Sequence, residues 1–105
     1  YLGKHAVVLD CTGHQDFANS ENSVLVTPTS KEKIYDGMFF SEGAIFNQGQ
    51  MFNFSQDAAF DGFQRALDKI DSCGKLNEAG VKLAETFTVK NTVDKLLSYV
   101  DYSRI

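Results

Sequence analysis

At 105 residues the chain has room for one domain at most, and a compact chain of that length buries roughly 65% of its unfolded surface. Hydrophobic residues make up 43% and nine are Phe, a composition that excludes a disordered chain. The net charge of −4 is spread along the sequence without a basic cluster, which argues against a nucleic-acid backbone as partner, and no apolar run approaches the ~20 residues of a membrane span.

The first element expected is a strand over Ala6–Leu9. Four apolar residues without alternation suit a strand covered on both faces, as in a parallel sheet with helices on each side. The stretch Cys11-Thr-Gly-His-Gln-Asp16 then leads through a glycine turn into a short polar helix. In open α/β sheets the loops leaving the carboxyl ends of strands are where ligands sit. Gly13 lies in such a loop and has two readings: a tight turn, or a place where backbone approaches a phosphate or sugar without a Cβ in the way. Val24–Val26 is a second short strand, and Pro28 stops it, since proline cannot donate to a ladder. The connection is too long for a tight hairpin, so the two strands are expected to be parallel neighbours.

Thr29–Lys33 reads as a charged loop. Residues 34–54 form an irregular, aromatic-rich excursion punctuated by Gly37, Gly43 and Gly49, with Asn47-Gln48-Gly49 as a hairpin tip between Ala44–Phe46 and Gln50–Phe52. It reads as a lid over a small core, or as an exposed apolar patch that binds a partner. Three helices follow. Ser55 caps the first, over Gln56–Ser72, with Phe60, Phe63, Leu67 and Ile70 on its core face, and Cys73-Gly74 ends it. The second covers Leu76–Thr86, where Gly80 costs about 1 kcal/mol relative to Ala unless close packing compensates. Thr88 caps the third, whose face is Val89, Val93, Leu96, Leu97 and Val100. Each stripe is expected to be core.

Few residues carry chemistry. Cys11 and Cys73 lack metal-ligand spacing and read as reduced, intracellular thiols, Cys11 buried; a disulfide between them is the lesser alternative. His5 and His14 belong to no cluster with metal spacing, so no metal is expected. His14, beside the glycine, either donates to a phosphate or sugar or is an ordinary exposed turn histidine. Asp16 either bonds sugar hydroxyls or caps its own helix. Thr12 either contacts a phosphate or simply ends the strand. There is no Gly-x-Ser-x-Gly, no phosphate loop with Lys-Ser/Thr, and no carboxylate pair that stands out as an acid/base couple.

The order of strand, Thr12-Gly-His-x-Asp-Phe17, polar turn, Glu21-Asn-Ser23 and strand resembles the late C-terminal half of GT-B glycosyltransferases, the retaining, family-four-like enzymes that use nucleotide sugars. In that family a lysine or proline after Gly opens a strand, a Gly-containing loop follows, and an acidic residue starts a short helix. Gly3-Lys4, Thr12-Gly13 and Asp16 fall on those positions. Phe87-Thr-Val-Lys-Asn91 looks like the Phe-Ser-Trp-x-Asn stretch that opens the family's last helix, and Gln50-Met-Phe-Asn-Phe-Ser55 falls where it has an aromatic and a turn. The family's paired glutamates, which contact donor sugar and ribose, have no counterpart here, and neither has its acceptor domain.

The resemblance implies an α/β fold, a partial Rossmann-like GT-B C-terminal half with short parallel strands, the aromatic excursion and three C-terminal helices, all in one domain over residues 1–105. It implies sugar transfer from a nucleotide-diphosphate donor, with Thr12, Gly13, His14 and Asp16 on the donor side, no bound cofactor and no catalysis by this stretch alone. Donor binding would need the missing upstream part. A start at Tyr1 instead of Met leaves the natural N-terminus open; no signal peptide heads the sequence, so a cytoplasmic location is expected. The alternative is a free-standing small α/β interaction module without enzymatic activity. A half-domain also exposes apolar surface, so a homo-oligomer is expected, with Phe39, Phe40, Phe46 and Phe52 divided between the core and a chain–chain contact.

Overall fold

The computed structural model describes residues 1–47 and 49–100. It is a small α/β protein with four short strands and three α-helices among the described residues. Strand β1 (Val7–Leu9) leads into a single 3₁₀ helix (Thr12–Asp16) and then β2 (Val24–Val26). β1 and β2 pair in parallel, Val7 opposite Val24 and Leu9 opposite Val26. The polar turn between them is built by Asn19 and Asn22, each side-chain oxygen accepting the other's backbone N–H, at 2.9 and 3.1 Å. The Asn22 amide also donates to the Phe17 carbonyl at 2.8 Å.

Two sequence expectations fail in the next segment. Ser30–Lys33 is a strand, β3, and not a loop; it pairs antiparallel with β4 (Gln50–Asn53). The hairpin therefore closes on Gln50–Asn53 against Ser30–Lys33, and not on Ala44–Phe46. Ser-Lys-Glu-Lys has no apolar alternation, so nothing local marks it as a strand; cross-strand pairing makes it one. Lys31 lies over the Phe52 ring, 4.7 Å from its centre. Of the expected tip Asn47-Gln48-Gly49, Gln48 lies outside the described residues. The excursion does not act as a lid: Phe39, Phe46 and Ile45 are exposed. Two side chains hold its shape. Asp36 accepts the backbone N–H groups of Met38, Phe39 and Phe40, each at 2.9 Å. Asn47 donates to the carbonyls of Ile34 and Ser41.

Helix α1 (Gln56–Cys73) begins as expected, with the Ser55 hydroxyl accepting the Ala58 N–H, and stops at Gly74. Its packing face differs from the expected one. Gly62 is buried against the parallel pair, where a Cβ would stand 2.6 Å from Val26 Cγ2 and 3.1 Å from Val7 Cγ1. The half-buried Ala58, Ala59 and Ala66 share that face. Of the expected face, Phe60, at 61%, and Leu67 are exposed, Phe63 is exposed but borders a hollow against Val7, Leu9 and Val26, and Ile70 is half-buried. Small residues win the contact because they let the helix lie close on β-branched side chains. The cations of α1 fasten it to β2: Arg65 donates to the Leu25 carbonyl, and Lys69 to those of Ser20 and Glu21.

Helix α2 (Glu78–Thr86) starts two residues later than the sequence suggests, at the N-cap Asn77. Gly80 fits that cap: a Cβ there would stand 2.7 Å from Asn77 Nδ2. Helix α3 (Val89–Ser98) is capped by Thr88, as expected. Its apolar face is not core; Val89 is 82% and Leu96 63% exposed. Buried apolar residues are only Cys11, Ala18, Val24 and Val26 among those described. The radius of gyration is 18.7 Å, against about 13 Å for a compact chain of this length. The accessible surface of 8538 Å² means that about half of the unfolded surface is removed, short of the ~65% expected of a compact domain. No helix among the described residues is long and apolar enough to cross a membrane.

Candidate functional site at the carboxyl end of the parallel strands

The ladder of β1 extends one residue beyond the strand: Asp10 N–H donates to the Val26 carbonyl at 2.8 Å. The chain then turns sharply, Cys11 N–H returning to the Leu9 carbonyl at 2.9 Å. Cys11 is extended and buried, which anchors the loop to the core. Thr12 follows at φ +50°, a left-handed conformation rare for a β-branched residue. The 3₁₀ helix starts there without a side-chain cap. The N–H groups of Thr12 and Gly13 thus stand at an open first turn, beyond reach of any intrahelical carbonyl.

The four residues singled out from the sequence are consecutive or nearly so on this turn, and all are exposed. Gly13 is not where φ is positive, and a Cβ there would meet nothing within 4 Å. Gly13 lies within this tight turn, and the turn's left-handed residue is Thr12. The carbonyl of His14 closes the turn by accepting from Phe17 and Ala18, while its ring lies 6.1 Å from that of Phe17. Asp16 is the last residue of the 3₁₀ helix, so it cannot cap that helix's start, and its carboxylate makes no hydrogen bond among the described residues. His5 is elsewhere, donating from Nε2 to the Gly74 carbonyl at the end of α1.

None of the four lines the hollow beside them. The hollow beside the strand ends, about 370 Å³, is lined by Asp10, Pro28, Thr29, Ser30, Lys31 and Phe52. Asp10 joins the two features, accepting a hydrogen bond from Gln15 of the 3₁₀ helix at 3.3 Å. Sequence reasoning missed Asp10, Thr29, Ser30 and Lys31. One signal was available: Asp10 and the Thr27–Ser30 stretch directly follow the two strands, and ligand loops lie at carboxyl ends. The hollow combines one carboxylate, one ammonium and two hydroxyls, groups suited to a polar ligand with hydroxyl and anionic parts. Comparison with family models, with curated proteins and with solved structures found no match.

Proposed function

We propose that this chain forms part of the nucleotide-sugar site of a GT-B-type glycosyltransferase, as the C-terminal portion of a Rossmann-like half-domain. The observation that carries this reading is the uncapped turn at Thr12-Gly13, placed at the carboxyl end of a strand in a parallel pair. Transfer of a sugar from a diphosphate builds negative charge on the leaving group, and open N–H groups oppose that charge in the transition state. In this reading Thr12 and Gly13 donate N–H bonds to the diphosphate, His14 adds a ring donor, and Asp16 accepts from sugar hydroxyls. A glycine with free space over its Cα lets a phosphate oxygen come close. One turn supplies few of the contacts such a ligand needs, so the chain alone binds weakly and does not catalyse.

The test is an NMR titration of the labelled chain with uridine and guanosine diphosphates up to millimolar concentration. The expected result is shifts confined to the amides of residues 10–16. No shift there at saturation of the accessible range, or shifts only elsewhere, overturns the reading. Sub-micromolar affinity would also show that the division of the site is misjudged.

A second reading is an interaction module. The exposed Met38, Phe39, Ile45 and Phe46 favour it, because contiguous exposed apolar surface marks contact sites. In that case no nucleotide perturbs the turn at Thr12, and the excursion carries the activity.

A further inference from the structure

We propose that α3 is a self-association surface, on which a second copy of this chain docks through an antiparallel helix pair. Val89, Val93 and Leu96 of α3 are spaced by four and three residues, the d-a-d order of a coiled-coil seam, and Val100 follows at the next a spacing, two residues past the end of the helix. The chain's own hold on α3 is made by Asn91, at the f position, which donates to the carbonyls of Glu85 and Thr86. Val89, Val93 and Leu96 all stay exposed, and Leu96 borders an open hollow beside Phe87, Asn91 and Tyr99.

Area argues for an occupant. A folded monomer of 11.7 kDa exposes about 5,900 Å², whereas this chain exposes 8538 Å². The excess exceeds the roughly 800 Å² per partner that a standard interface buries, so a dimer can form and still leave other faces open. The pattern argues for a second copy as that occupant. Under two-fold antiparallel pairing Val93 meets the partner's Leu96, and Val89 comes to the end of the partner's helix, where Val100 follows it. The flanks set Lys90 beside the partner's Leu97, and Thr92 beside the partner's Tyr99. No like charges face each other, and Lys90 is already paired with Asp94 on its own helix.

The test is sedimentation equilibrium of the whole chain from millimolar to micromolar concentration, with Leu96→Lys and Phe46→Ser as variants. The expected outcome is a concentration-dependent dimer whose dissociation constant rises roughly 30-fold or more in Leu96→Lys, as for loss of an interface hot spot, and is unmoved in Phe46→Ser. Amide exchange over residues 89–100 of the unaltered chain provides a check independent of how the variant folds, and protection there should rise with concentration. A monomer at every concentration, concentration-independent exchange, or dissociation by Phe46→Ser in place of Leu96→Lys overturns the proposal.

Discussion

Asn77 donates its side-chain amide to the backbone carbonyl of Asn22 at 2.7 Å, the bond that ties α2 to the turn before β2. These are the two buried polar residues among those described, 5% and 6% exposed. The same Asn77 amide reaches the Lys4 carbonyl, its N–H donates to the Gly3 carbonyl, and its oxygen accepts the Gly80 N–H. One side chain thus caps a helix and joins it to the starts of both parallel strands.

Removing that side chain leaves three backbone groups short of a partner. Asn77→Ala is expected to destabilise the chain by about 3 kcal/mol, combining a lost cap with buried carbonyls left unbonded. Asn77→Asp keeps the cap but turns a carboxylate toward the Asn22 and Lys4 carbonyls, and should be no better than Ala. Urea unfolding of both variants decides it. An Asp variant as stable as the unaltered chain would reduce Asn77 to a helix cap.

Helix α1 offers a reversal of the usual size rule. Gly62→Val adds methyl groups where a Cβ alone would already stand 2.6 Å from Val26 Cγ2, at an expected cost of about 2 kcal/mol. Phe60→Ser, on the exposed face, should change stability by less than about 0.5 kcal/mol. Thermal unfolding measures both, and a larger loss for Phe60→Ser would mean that the phenylalanine face is covered.

Thr12 separates stability from ligand binding. Thr12→Gly relieves the left-handed strain and should stabilise the chain by about 1 kcal/mol, reduced by the entropy glycine adds to the unfolded state. The same change loosens the turn that presents the open N–H groups, so the diphosphate-induced shifts at residues 10–16 should weaken. Denaturant curves and the nucleotide titration, run on one variant, test both directions.

Asp36 gives the excursion a pH dependence. The backbone N–H of Phe40, then those of Met38 and Phe39, hold its carboxyl below the usual carboxylate range. A depressed native pKa contributes order that is present above the unfolded value of about 3.9 and is lost as pH falls through the native value. Residues 36–40 should therefore keep their turn at neutral pH and loosen only in acid, below about pH 4. Amide shifts of Met38, Phe39 and Phe40 should follow the Asp36 carboxyl in an NMR titration. In Asp36→Asn the turn should persist without that titration, because the amide oxygen still accepts.

Local chemistry decided much of this protein. Ser55 and Thr88 are good N-caps, Gly74 is a good stop, and apolar runs at Val7–Leu9 and Val24–Val26 are too short and β-branched to be helices; each lies where the sequence places it. The turn carrying Thr12, Gly13, His14 and Asp16 was equally legible, because strand followed by glycine is a local pattern. What only the tertiary structure decided is which surfaces meet. Ser30–Lys33 becomes a strand through a partner strand, Gln50–Asn53, that is distant in sequence. The stripe of Phe60, Phe63 and Leu67 carries more apolar area than the Ala58-Gly62-Ala66 face, and periodicity ranks faces by apolar content alone. Close approach to Val7 and Val26 favours the smaller side chains instead, and Asn77 bonds to carbonyls that no local pattern brings near it. Hydrophobic pattern fixes the elements, whereas steric fit and long-range hydrogen bonds fix their arrangement.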